Sequence, residues 1–248
     1  ITDKGLSKLT KITNLNLAYN SVVTDEGLAP LTKITTLNLA YNRIITDEGL
    51  APLTNITNLN LADNRIITDK GLIPLINIKN LNLTYNRNIS NKGLISLINI
   101  TGLNLEGNEI INDKGIARLI NLQTLCLAFN RMITNKGLNI NITDLNLRRN
   151  RLITDKGLFL LKNLKILNLD NISIITDKEL SLSTSLTTLE LDNSNITNKG
   201  VATLVNLTTL IIHENKYITD KGLDKLTNLT TLTVIGGKPI KNTKMISR

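Results

Sequence analysis

The sequence predicts an α/β solenoid: a right-handed, horseshoe-like coil with a parallel sheet on its concave wall and one short helix per turn on its convex side. Three observations predict it. A phrase of the form L-N-L-A-Y-N-x-x-x-T-D-x-G-L-x-x-L-x-x-I starts at Leu15 and returns at Leu37, Leu59, Leu81, Leu103, Leu125, Leu145, Leu167, Leu189, Leu210 and Leu232. The spacing is 22 residues, apart from 20 between Leu125 and Leu145 and 21 between Leu189 and Leu210, and such a period means that each unit buries its apolar side only against copies of itself. Aromatic residues make up only 2% of the chain and Trp is absent, so the core has to be Leu and Ile stacked in columns.

Within one unit, Ile56 to Asn77, the elements follow in order. Leu59 and Leu61 alternate with Asn58, Asn60 and Ala62, the period of two of a short strand with one wet face. After Asn64 and the pair Ile66 and Ile67 comes Thr68-Asp69-Lys70-Gly71-Leu72, where Thr68 or Asp69 can cap a short helix. Leu72 and Leu75 then face inward together, and Ile78 opens the next strand. Every strand reaches the next by a crossover, so the strands run parallel, about 4.8 Å apart.

Leu59-x-Leu61-x-x-Asn64, preceded by Ile56, resembles the leucine-rich repeat signature. The tail Ile67-Thr68-Asp69-Lys70-Gly71-Leu72-x-x-Leu75 is similar to that of the cysteine-containing type found beside F-box motifs, and to short bacterial relatives. The resemblance covers nearly the whole chain and implies recognition of other proteins. The chain departs from the cysteine-containing type in placing Asn, as at Asn20, Asn42 and Asn130, where that type often has Cys, and in a shorter helix segment. It contains no F-box.

About eleven units running through residues 1–248 predict one elongated domain. The chain opens in mid-repeat at Ile1 without Met, the pattern of a fragment truncated at its N-terminus, and residues 236–248 are expected to end the array, with Lys241, Lys244 and Arg248 in a polar tail. No apolar run approaches the roughly 20 residues of a membrane span. A single cysteine, Cys126, excludes an internal disulfide and fits a reducing, cytoplasmic or otherwise intracellular setting. Nine N-x-S/T sequons, among them Asn55, Asn99, Asn141 and Asn228, are read chiefly as by-products of the repeated phrase.

Stacking the repeats turns single letters into columns. Asn20, Asn42, Asn64, Asn86, Asn108, Asn130, Asn150 and Asn215 are expected to point inward and satisfy loop N–H and C=O groups, with irregular loops where Ile172, Ser194 and Gly237 interrupt them. Asn16, Asn38, Asn60, Asn82, Asn104, Asn146 and Asn168, with Cys126 in register, line the open strand face as stacked amides rather than as a ligand ladder. The net charge of +9 resolves into lysines beside Asp or Asn on the helical rim, where charge is locally offset, and an Arg stripe: Arg43, Arg65, Arg87, Arg131 and Arg151, continued by Lys216. The stripe could steer phosphates or an acidic protein. Scarce aromatics and the absence of a DNA-binding motif argue against nucleic acid.

Tyr19, Tyr41, Tyr85 and Phe129 share one column at the strand-to-loop edge, either as interface anchors or as covers for the loop beneath. Repeats seven to ten break the pattern on the strand face with Arg148, Asp170, Asp192 and His213 in one column and Arg149, Glu190 and Glu214 beside it. Asp170, Asp192 and His213 are expected at one level on consecutive strands, about 5 Å apart. They could hold a divalent cation or act as an acid–base pair, but an open trough favours a docking patch for a basic partner. Cys126 and His213, four strands and about 19 Å apart, cannot form a nucleophile pair. The resulting expectation is a monomeric, non-enzymatic protein-binding module without a cofactor, membrane insertion or metal. Its interface draws on Tyr41, Tyr85, Phe129, Arg148, Arg149, Asp170, Glu190, Asp192, His213 and Glu214. The alternatives are the substrate-recognition part of an F-box-type ubiquitin-ligase adapter and a surface or secreted adhesin.

Overall fold

A computed structural model describes residues 1–237; the residues of the polar tail, from Lys238 on, lie outside the described residues. The chain forms two compact units, one spanning Ile1–Leu122 and the other starting at Gln123. The first carries β1 (Asn14–Asn16), β2 (Thr36–Asn38), β3 (Asn58–Asn60), β4 (Asn80–Asn82) and β5 (Gly102–Asn104). The second carries β6 (Thr124–Cys126), β7 (Asp144–Asn146), β8 (Ile166–Asn168), β9 (Thr188–Asp192), β10 (Thr209–His213) and β11 (Thr231–Ile235). Within each unit neighbouring strands are parallel and in exact repeat register, Leu37 opposite Leu59 and Leu145 opposite Leu167. Helices of about one turn, such as Asp47–Leu50 and Asp69–Leu72, connect them. Where the repeat is two residues shorter the helix shrinks to the 3-10 turn Asn135–Gly137, and Leu138 is already extended.

The core is the predicted columns: Leu59, Leu61, Ile67, Leu72, Leu75 and Ile78 are all buried. The inward asparagines close the backbone accounts of the loops. Asn64 Nδ2 donates to the carbonyls of Leu39 and Asn42, 3.1 Å each, while its Oδ1 accepts the N–H groups of Ile66 at 3.0 Å and Ile67 at 2.9 Å. Asn150 repeats the arrangement in the second unit. Asn20 is only half-buried.

The strand-face asparagines work locally. Asn38, Asn60, Asn146 and Asn168 each accept, through Oδ1, the N–H two residues on, at 2.9–3.0 Å. These strands end after three residues, as does β6 with Cys126 in the same register. Glu190, Ile211 and Thr233 occupy the same register in β9, β10 and β11, and those three strands run to five residues. Asn215 answers the change: it donates to the Ser194 carbonyl and hydroxyl and to the Ile196 carbonyl, instead of to a strand-end leucine. Ile172 and Ser194, the interruptions of the inward column, are both buried.

The T-D-x-G phrase is a clasp between repeats. Thr68 Oγ1 accepts the N–H of Lys70 as a helix cap, and its hydroxyl donates to Asp47 Oδ2 of the preceding repeat at 2.6 Å. Asp47 Oδ1 accepts the Thr68 N–H at 2.8 Å. The carboxylates of this column thus accept hydrogen bonds from the next threonine. A Cβ on Gly49 would lie 2.2 Å from Asp25 Oδ1, so glycine leaves this carboxylate its place; at the equivalent position Glu179 is accommodated with the Asp155–Thr176 clasp intact. Asn135 replaces Asp with the same geometry, accepting the Thr154 N–H and donating to its hydroxyl.

Candidate functional site

The aromatic column has an unusual backbone. Tyr19, Tyr41 and Tyr85 in the first unit and Phe129 in the second have φ of 58°, 56°, 51° and 55°, in the left-handed region, which costs a bulky L-residue roughly 1–2 kcal/mol. Tyr19 and Tyr41 recover part of this by stacking, centroids 4.5 Å apart and planes within 8°. The Tyr85 ring lies over the next loop, where a Cβ on Gly107 would come within 2.1 Å of it. The rings therefore cover the loop of the following repeat while keeping one side exposed, with Tyr41 37% and Tyr85 43% accessible.

In the second unit the same loop edge fixes the level of the irregular column. Phe129, Arg149, Asn171 and Asn193, all with left-handed backbone, donate their N–H groups to the carbonyls of Arg148, Asp170, Asp192 and His213 at 2.6–3.0 Å. His213 stands opposite Asp192 in the β9–β10 register. Arg148, Asp170, Asp192 and His213 thus form one row across the open face, as the repeat spacing predicts. Amides hold the carboxylates in place. Asn168 Nδ2 donates to Asp170 Oδ2 at 3.2 Å and in a short contact to Glu190 Oε2, and Asn171 Nδ2 donates to Asp192 Oδ2 at 3.0 Å. Among the described residues none of these carboxylates forms an ion pair, and no three His, Cys, Asp or Glu side chains gather as a metal ion would require. Glu214 is exposed at the left-handed loop position. Cys126 is half-buried rather than fully exposed.

Arg148 and Arg149 lie over Phe129, 5.8 Å and 5.3 Å from its ring centroid. Beside them an open groove of about 810 Å³ is lined by Phe129, Arg131, Arg149, Arg151, Asn171 and Asn193, with other loop residues. The Arg stripe of the first unit behaves differently: Arg43 and Arg65 reach Asp63 at 3.5 Å and 3.1 Å, and Arg87 stands 4.0 Å from Glu109. There the stripe has acidic partners in Asp63 and Glu109. Asp144, on the outward face of β7, is raised above the usual carboxylate range by burial.

One surface was not foreseen. Ile73, Ile76, Ile95, Ile98 and Ile120 of the first unit are exposed on the helical side, each 53–62% accessible. The signal was present in the columns 73/95 and 76/98/120, where the preceding repeats carry Ala29 and Ala51 or Thr10, Thr32 and Thr54.

A family model described as "Leucine Rich repeat" matches residues 8–31, 31–54, 53–76, 75–98, 139–162, 182–205 and 203–227, more than half of the sequence. The chain belongs to the leucine-rich repeat family. Among solved structures, this leucine-rich repeat protein is similar to an internalin (inlF) from Listeria monocytogenes, at 22% identity and a TM-score of 0.61, over 100% of this chain and 87% of that one. A chain of the Rad7 and Elc1 complex in yeast is similar at 19% identity and a TM-score of 0.59, over 100% and 82%. A chain of the Toll–Spatzle complex of Drosophila is similar at 16% and 0.55, over 96% of this chain but only 41% of that one. At these identities the likeness is one of fold. No curated protein sequence matches the chain. Protein binding is the role typical of leucine-rich repeats, and two of these structures are of complexes between proteins. Among the described residues no helix is long and apolar enough to cross a membrane.

Proposed function

We propose that this leucine-rich repeat chain is a non-enzymatic protein-interaction module and that the open strand face of its second unit receives a basic segment of a partner protein. One observation carries the reading: Asp170, Glu190 and Asp192 are held side by side by neutral amides and no cation of the described chain neutralises them. Carboxylates held in this way are pre-ordered for an incoming cation, which lowers the entropy lost on binding. Arg148 and Arg149 bound the acidic row on one side and reject a partner seated one repeat out of place. His213 and Glu214 extend the row, Phe129 supplies an apolar edge, and Tyr41 and Tyr85 offer the equivalent edge in the first unit.

The test is charge reversal. Asp170→Lys with Asp192→Lys should abolish partner capture by the purified chain while the chain stays folded, with a thermal unfolding midpoint lowered by no more than the loss of the Asn168 and Asn171 hydrogen bonds. Capture at the native level by a folded double variant would overturn the reading. The adhesin alternative depends on glycan at sites such as Asn55 and Asn228. Their Nδ2 atoms donate to the carbonyls of Thr32 and Val205 at 2.9 Å, bonds that glycan attachment would disturb. The adapter alternative calls for an F-box encoded elsewhere in the gene.

A further inference from the structure

The groove at the loop edge of the second unit lies beyond the acidic row and has the opposite charge. In the first unit Arg43 and Arg65 flank Asp63; the corresponding place between Arg131 and Arg151 is taken by Arg149. Arg87 has Glu109 in the next repeat, whereas Arg131 has Arg151. The two neutralising acids of the stripe are therefore replaced by arginines where the groove opens. All three guanidinium groups line it, and among the described residues none forms an ion pair.

The groove is also costly to build. Arg149 has a φ of 53°, a conformation in which Asn or Gly would be less strained. Its guanidinium rests 5.3 Å from the Phe129 ring centroid, which steers a side chain that would otherwise be mobile. On the opposite wall Asn193 Nδ2 donates to Asn171 Oδ1 at 3.5 Å, and Asn171 Nδ2 is held by Asp192. Asn193 Oδ1 accepts no hydrogen bond among the described residues, leaving an acceptor suited to a peptide N–H. Phe129 and Leu152 supply apolar wall between the charges.

The geometry points to a binding site for an acidic peptide segment: we propose that its Asp or Glu carboxylates seat on Arg131, Arg149 and Arg151, with a backbone N–H on Asn193 Oδ1. Guanidinium forks match carboxylates in two-pronged fashion, and the mixed polar and apolar lining suits a peptide better than a uniformly charged polymer. The probe is a fluorescein-labelled, glutamate-rich hexapeptide, titrated with the full chain and followed by anisotropy. Two triple variants of equal charge loss are compared: Arg131→Gln, Arg149→Asn, Arg151→Gln in the groove, and Arg43→Gln, Arg65→Gln, Arg87→Gln in the first unit. Asn is used at 149 because it tolerates left-handed backbone. The groove variant should weaken the peptide by about tenfold or more, and the other by less than about twofold. Equal weakening by both, absence of peptide binding to the native chain, or tighter binding of a sulfated hexasaccharide than of the peptide would overturn the proposal. Circular dichroism of both variants distinguishes loss of the site from loss of fold.

Discussion

Asn64 serves four backbone groups with one side chain, three of the bonds buried and the one to Ile66 partly so. Replacing it with Ala removes four hydrogen bonds and leaves the Asn42 carbonyl and the Ile67 N–H without this partner in the interior, while the Leu39 carbonyl keeps the Asn42 N–H, at a cost of about 3 kcal/mol. Asn60 accepts a single N–H at a half-exposed place, so Asn60→Ala should cost about 1 kcal/mol. Urea unfolding of the two variants measures the difference, and equal losses would refute the assignment of roles. Both columns are visible in the sequence as the same letter, and the inward role follows from spacing alone. The bond made by the outward Asn does not, because it closes on its own backbone two residues on and leaves no trace in the period. Asp144 adds a pH signature. Burial raises its folded pKa above the unfolded value, so the folded state binds the proton more readily and this residue's contribution to stability falls as pH rises from near 4 through the folded pKa. Asp144→Asn should flatten the stability profile in that window and leave the variant more stable than the native chain at neutral pH; an unchanged profile would count against it.

At the scale of the element, the clasp of Asp, Thr and Gly explains why helices of one turn persist although isolated helices so short do not form. Each is fastened to the previous repeat by two hydrogen bonds. Gly49→Ala drives a methyl group into Asp25 Oδ1 and should cost about 2 kcal/mol through loss of the Asp25–Thr46 pair. Gly5 has only ordinary contacts, the nearest at 3.6 Å, and Gly5→Ala should be neutral or stabilising by up to about 1 kcal/mol through helix propensity. Thermal unfolding of both variants checks the sign change. Strand position and register were readable from the leucine spacing. The longer strands β9 to β11 carry Glu190, Ile211 and Thr233 in place of Asn, but β6 with Cys126 in that register stays at three residues, so the letter alone does not give the length. The left-handed backbone of Tyr41 and Phe129 is not signalled by the aromatic letters themselves, and only Asp63, Gly107, Asn171 and Asn193 in the same column point to it.

For the whole molecule, the repeat fixes which letters become neighbours, and the breaks in the repeat fix where chemistry is concentrated. The row Arg148, Asp170, Asp192 and His213 was legible because a parallel stack preserves register. The amides that order its carboxylates, and the groove lined by Arg131, Arg149 and Arg151, depend on side-chain geometry that a period does not encode. The exposed isoleucines of the first unit were overlooked because an apolar letter in a repeat invites assignment to the core. The most direct measurement of the central claim uses a photoactivatable residue placed at Ile211, on the open face of β10, or at Leu182, exposed on the helical side. The account predicts protein adducts from position 211 that disappear when Asp170 and Asp192 are reversed to Lys. Adducts formed equally from position 182, or adducts at 211 indifferent to the charge reversal, would contradict it.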